Sequence, residues 1–110
     1  STTKVTIVNV ESAEKLYSLY MINDFDYNNY CYVVRSNGEE ISQDTFNVLE
    51  KGEIITITIY HIENITPLLK INGKEVEVTL ADNNQSIYGY IVSSTTYVVN
   101  GDVRIELSSK

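Results

Sequence analysis

The chain has 110 residues, 43% of them hydrophobic and 21% charged, and a formal net charge of −7. That is the make-up of one folded domain, and it excludes a disordered chain. Eight Lys and Arg scattered among fifteen Asp and Glu exclude sequence-independent nucleic-acid binding, which depends on cations neutralising phosphates, and disfavour an anionic membrane surface.

Lys4–Val10, KVTIVNV, is β-branched and places Val5 and Ile7 on one face and Thr6, Val8 and Val10 on the other, which predicts a first strand. Residues 12–22 admit two readings. As a helix, Ser12 is the N-cap and Leu16, Leu19 and Tyr20 the buried stripe. As a strand, Leu16, Ser18, Tyr20 and Ile22 oppose Tyr17, Leu19 and Met21, and the neighbouring strands favour this reading. Asn23–Asn29 is a polar loop. Tyr30–Ser36 predicts a strand closed by an Asn37-Gly38 turn, with a short strand returning around Thr45–Leu49.

After the turn Glu50-Lys51-Gly52-Glu53, Ile54–Tyr60 carries the clearest alternation, with Ile55, Ile57 and Ile59 on one side and Ile54, Thr56, Thr58 and Tyr60 on the other. Pro67 marks a strand start or an edge. Leu68–Ile71 and Glu75–Leu80 flank an Asn72-Gly73 turn, with Val76, Val78 and Leu80 expected inward. Ser86–Val92 and Thr96–Val99 predict two more strands, and Asn100-Gly101 turns into Val103–Leu107. Tyr88, Tyr90 and Tyr97 are expected to be half-buried, ring in the core and hydroxyl at the rim. About eight or nine short strands at this spacing predict a sandwich over a five-stranded barrel.

Cys31 is the one cysteine, so no intrachain disulfide forms and the core alone must hold the fold. No run is long enough to span a membrane, and the residues after Ser1 do not read as a leader. The expectation is a chain made in the cytoplasm, or one excised from a larger protein.

Gly52 followed by the ITITI strand, then KINGKE, YGYIV and a closing DVRIEL, resembles the immunoglobulin-like modules of bacterial surface proteins and phage virion proteins. The resemblance covers roughly the half of the chain from Leu49 onward. It implies a binding or assembly module, with no catalytic residues to carry over.

Chemistry is sparse. Cys31 lies in an apolar strand and reads as a small core residue; His61, beside Glu63, reads as a solvated loop histidine. One His and one Cys cannot build a zinc site of the usual kind. No phosphate loop or nucleophile elbow occurs. Asp24, Asp26 and Asn28 are the one metal candidate, with oxygen ligands at alternate positions as in calcium loops. Asn29 and Arg35 stand where an EF-hand has Gly and Glu, so an Asx-rich turn is the better reading. Calcium would need a further ligand such as Asp82. No cofactor is expected. Nine tyrosines suit a sugar-binding platform only where two or three rings lie coplanar on one exposed face; the competing reading is tyrosine at the core edge.

These readings combine into an all-β, immunoglobulin-like antiparallel β-sandwich over residues 1–110, acting as a non-enzymatic structural or interaction module. The expected setting is a bacteriophage virion component of the capsid-decoration or tail-adaptor type. The expected partner is a protein (a capsid or tail lattice, or another copy by self-association), with no nucleic acid and no membrane insertion. Two alternatives stay open: an adhesive or carbohydrate-binding domain excised from a bacterial surface protein, and an acidic inhibitor of a host nucleic-acid-binding defence enzyme.

Overall fold

The computed structural model describes residues 15–23, 26–80 and 88–110, and every regular element among them is a strand. The predicted strand Lys4–Val10 lies outside the described residues. Ten strands follow: β1 (Leu16–Asn23), β2 (Asn29–Val34), β3 (Glu40–Ile41), β4 (Thr45–Glu50), β5 (Ile54–His61), β6 (Pro67–Ile71), β7 (Lys74–Val76), β8 (Thr79–Leu80), β9 (Ile91–Val98) and β10 (Val103–Ser109). They form two five-stranded sheets, β4-β1-β10-β6-β7 and β3-β2-β5-β9-β8. All pairings are antiparallel except β1 with β10, which run parallel with Leu19 opposite Val103. No helix among the described residues is long and apolar enough to cross a membrane.

The core follows from alternation. Ile55, Ile57 and Ile59 of β5, and Val103, Ile105 and Leu107 of β10, are buried as their two-residue period requires. Leu19, Leu49, Leu69 and Ile71 join them from the first sheet, Cys31, Val33 and Ile41 from the second, and Val99 from the residue just past β9. Burial drives the two inner faces together, since each buried Leu or Ile contributes roughly 1.5–3 kcal/mol of transfer free energy. Asn29 stitches the sheets at one end, its Nδ2 donating to Ser108 O at 2.9 Å.

Residues 16–23 form a strand, as the alternation favoured. The register with β4 shifts between Tyr17 and Leu19, where Asn47 takes φ +55° and donates its N–H to Ser18 Oγ at 3.1 Å. Asn72 (φ +52°) and Gly73 (φ +85°) make the two-residue turn whose twist matches a hairpin.

Several expected elements are corrected. Glu75–Leu80 is not one strand: β7 pairs in the first sheet, the chain crosses at Glu77 and Val78, and β8 pairs with β9 in the second. Leu80 is consequently 58% exposed, while Val76 and Val78 pack against the core. The expected break after Val92 does not occur, because Ser93, Ser94, Thr95 and Thr96 all pair with β5 in one continuous β9. Tyr88, at φ +54°, is 96% exposed rather than half-buried. His61 is buried rather than solvated, since β5 runs one residue beyond Tyr60 and turns it inward.

Candidate protein-docking face

The outer surfaces of the two sheets differ in charge, although β1 and β4 of the first also present Tyr20, Ile22 and Phe46. On the first, register places Arg104 and Glu106 of β10 beside Lys70 of β6 and Glu75 of β7, a ladder of alternating charge. That is how a solvated sheet face is written. On the second sheet, β2 presents Tyr30, Tyr32 and Val34, β5 presents Ile54, Thr56, Thr58 and Tyr60, and β9 presents Val92, Ser94, Thr96 and Val98. None of these outward positions is ionisable to a charge near neutral pH, in a chain that is 21% charged. Ile54 and Val98 are 53% and 57% exposed.

One end of this face is aromatic. The register Tyr30↔Tyr60 brings strands distant in sequence into contact, and their rings stack at 5.4 Å between centroids and 8° between planes. Tyr60 also stacks on Tyr32 at 5.8 Å and 27°. Tyr90 meets Tyr30 edge-on at 5.4 Å and donates its hydroxyl to Tyr27 O at 2.5 Å. Parallel rings at such separations lie face against face, not side by side. The ring faces that a sugar would need are therefore turned onto one another in these pairs. This geometry counts against the sugar-platform expectation.

The hydroxyls are held protonated. Burial, then the neighbouring Tyr90 and Tyr60, raises the Tyr30 phenol above its ordinary value. Hydrogen bonding to Tyr60, burial, and repulsion from Tyr60 and Glu40 push Tyr32 up to about 12. Each phenol thus remains both donor and acceptor through the physiological range. Charge begins only at the rim, with Glu40 on β3 and the Arg35–Glu53 pair at the end of β2.

The other places where chemistry was expected are quiet. Asp26 Oδ1 accepts the Asn28 N–H at 2.9 Å, and Asn29 N donates to Asp26 O at 3.0 Å, a hydrogen-bonded Asx turn. Asp24 and Asp82, the other calcium candidates, lie outside the described residues. Among those described, no group of three His, Cys, Asp or Glu side chains is placed to hold a metal. His61 and Cys31, the two residues of a notional Cys–His pair, both point into the interior, and His61 is committed elsewhere. Its Nδ1 lies 3.1 Å from Ile62 O and its Nε2 3.2 Å from Ser93 Oγ.

That His–Ser contact has the outline of a nucleophile and its base. However, Ser93 is only 3% exposed, and β9 is paired on both sides there, with β5 and β8. Backbone donors consumed by ladders leave no oxyanion hole beside the hydroxyl. The pair satisfies two buried polar side chains. It forms the floor of an open cleft of about 380 Å³ bordered by Glu63, Glu77 and the Glu75–Lys110 ion pair at 3.2 Å.

Sheet edges offer little for strand addition. β3 and β8 have two residues each and β7 three, while β4 is broken in register by the bulge at Asn47. Sequence reasoning singled out Tyr88, Tyr90 and Tyr97 and missed Tyr30, Tyr32 and Tyr60. The available signal was their position opposite in phase to Cys31, Val33 and Ile59. No family model matches the chain, and the comparisons with curated proteins and with solved structures found no match.

Proposed function

We propose that the protein is a non-enzymatic interaction module that docks onto a protein surface through the outer face of β2, β5 and β9. The observation that carries this reading is the run of three neighbouring strands whose outward positions hold only Tyr, Thr, Ser, Val and Ile, whereas the outer face of the first sheet mixes Arg104, Glu106, Lys70 and Glu75 with Tyr20, Ile22 and Phe46. Interface cores are depleted of charge and enriched in tyrosine in just this way, because a charge there would be desolvated without recompense. The stacked phenols are rigid before contact, which lowers the entropy cost of ordering them.

A benzophenone photo-crosslinking residue in place of Thr58, at the middle of the face, tests the reading in cells that make the protein. Specific protein adducts from position 58, and none from the same probe in place of Ser108 on the opposite sheet, support it. Absence of adducts from position 58, or equal labelling from both, refutes it. The capsid or tail lattice expected from the resemblance is a protein surface of this kind. Its own test is co-sedimentation of the wild-type chain with phage particles and release of the Thr58→Arg variant.

A further inference from the structure

We propose that Asn100 is a site of spontaneous covalent modification: in the folded chain the Asn100-Gly101 pair closes to a succinimide and reopens as aspartate or isoaspartate, while Asn37-Gly38 and Asn72-Gly73 stay intact. The chemistry is intrinsic to asparagine followed by glycine. The glycine backbone nitrogen gives up its proton and attacks the asparagine Cγ. A C–N bond forms, the Cγ–Nδ2 bond breaks, and Nδ2 leaves as ammonia. Water then adds to either carbonyl of the ring, which yields a normal or a β-linked aspartate. No oxidant, reductant or second protein takes part. Glycine permits the closure because it has no Cβ to crowd the attacking nitrogen.

The chain carries three such pairs, and all three asparagines are exposed. Hydrogen bonding separates them. At the first pair both reacting groups are held: Asn37 Oδ1 accepts the Glu39 N–H at 2.9 Å, and the attacking nitrogen, Gly38 N, donates to Arg35 O at 2.8 Å. At the second the carboxamide is held at both ends. Asn72 Oδ1 accepts the Arg104 N–H at 2.8 Å, and Nδ2 donates to Asp102 O at 3.2 Å and to the Tyr97 hydroxyl at 3.4 Å. An aspartate at position 72 would also set a carboxylate, which only accepts, against the Asp102 carbonyl.

At the third pair neither group is held. The β9–β10 corner bends at Asn100 and Gly101, and among the described residues no hydrogen bond takes the Asn100 carboxamide or the Gly101 N–H. The corner is anchored one residue earlier, where Val99 O accepts from Gly52 N at 2.7 Å and Val99 N donates to Glu53 O at 2.8 Å. Asn100 therefore reaches the closing geometry without first breaking a hydrogen bond. Each bond that must open beforehand slows closure by roughly two- to tenfold, so Asn37 and Asn72 lag by roughly tenfold or more. The product adds a negative charge to a chain already at −7 and, as isoaspartate, one methylene to the main chain between β9 and β10. Aged protein thus differs from new protein at this one corner.

Incubation of the full chain at mildly alkaline pH, folded or in urea, followed by mass spectrometry of its tryptic peptides, tests this. Cleavage after Arg35, Lys51, Lys70, Lys74 and Arg104 puts the three pairs in three separate peptides, and brief digestion at mildly acidic pH adds no conversion of its own. In the folded chain Asn100 is expected to convert, to two isomeric products, roughly tenfold or more faster than Asn37 or Asn72. In urea the three rates draw to within a few-fold of one another. Gly101→Ala, at a position that needs no positive φ, slows conversion at Asn100 several-fold with an unchanged circular dichroism spectrum. A folded-state rate at Asn100 no higher than at Asn37 or Asn72 overturns the inference, as does a rate indifferent to Gly101→Ala. A preference for Asn100 just as large in urea also overturns it, since local sequence and not the fold would then set the rate.

Discussion

Arg35→Ala at the end of β2 tests how the sandwich is pinned. The guanidinium holds Glu53 with two parallel bonds, Nε to Oε2 at 2.7 Å and a terminal NH2 group to Oε1 at 3.0 Å. The two side chains are 13% and 5% exposed, and Glu53 Oε1 also takes the Glu50 N–H at 2.9 Å. The second acid on Arg35, Glu39 at 2.9 Å, is 50% exposed and adds under about 1 kcal/mol. Removing the guanidinium strands a desolvated carboxylate where β2 ends and β5 begins, which costs about 3–5 kcal/mol. At roughly 4 °C per kcal/mol for a domain of this size, Tm falls by about 12–20 °C. Arg35→Lys loses the fork and recovers only part of the difference. The pH dependence identifies the cause. Hydrogen bonding to Arg35 holds the Glu53 carboxyl below its ordinary value, so its contribution is complete above the unfolded value near 4.5 and is lost as pH falls through the folded one. The gap between wild type and Arg35→Ala, measured by urea unfolding, is therefore widest at neutral pH and closes in acid. A gap that is constant from pH 7 to pH 3, or below 1 kcal/mol at pH 7, refutes the reasoning.

Three further outcomes follow from the geometry. Ile57→Ala, at a fully buried position, costs about 2–5 kcal/mol in urea unfolding, whereas Ile54→Ala at 53% exposure changes stability little. Gly73→Ala forces a side chain onto φ +85° in the β6–β7 turn and lowers stability by about 1 kcal/mol or more, while Gly101→Ala, where no positive φ is required, does not. Spectrophotometric titration finds phenols ionising late, up to about 12 for Tyr32. Because that folded value lies above the unfolded 10.0, stability falls as pH rises through this window, and Tyr60→Phe narrows it.

The strand faces were legible because alternation is local. Ile55, Ile57 and Ile59 point inward wherever β5 is placed, and the same holds for Val103, Ile105 and Leu107. Sheet membership was not legible, because it is settled by partners distant in sequence. Glu75–Leu80 reads as one alternating arm, yet the chain changes sheet after Val76 so that Thr79 can pair with Ser94. Ser93 to Thr95 reads as a break because small polar residues are frequent in loops, yet all three pair with β5, and Ser93 and Ser94 pair with β8 as well. The parallel partnership of β1 with β10 joins opposite ends of the described chain, and no periodicity announces it.

The proposed docking face shows how far the same limit reaches. Tyr30, Tyr32 and Tyr60 are each visible as outward residues of an alternating strand, and outward tyrosines by themselves argue nothing. What turns them into a site is the register Tyr30↔Tyr60, which makes a stacked cluster of them, and the assembly of three strands with no outward charge side by side. Had β10, with Arg104 and Glu106, been the neighbour of β5 in place of β9, the same tyrosines would sit in an ordinary solvated face. The functional signal is thus carried by strand order. A substitution that preserves every tyrosine while placing one charge at Thr58 or Thr96 is accordingly expected to abolish docking with the fold unchanged.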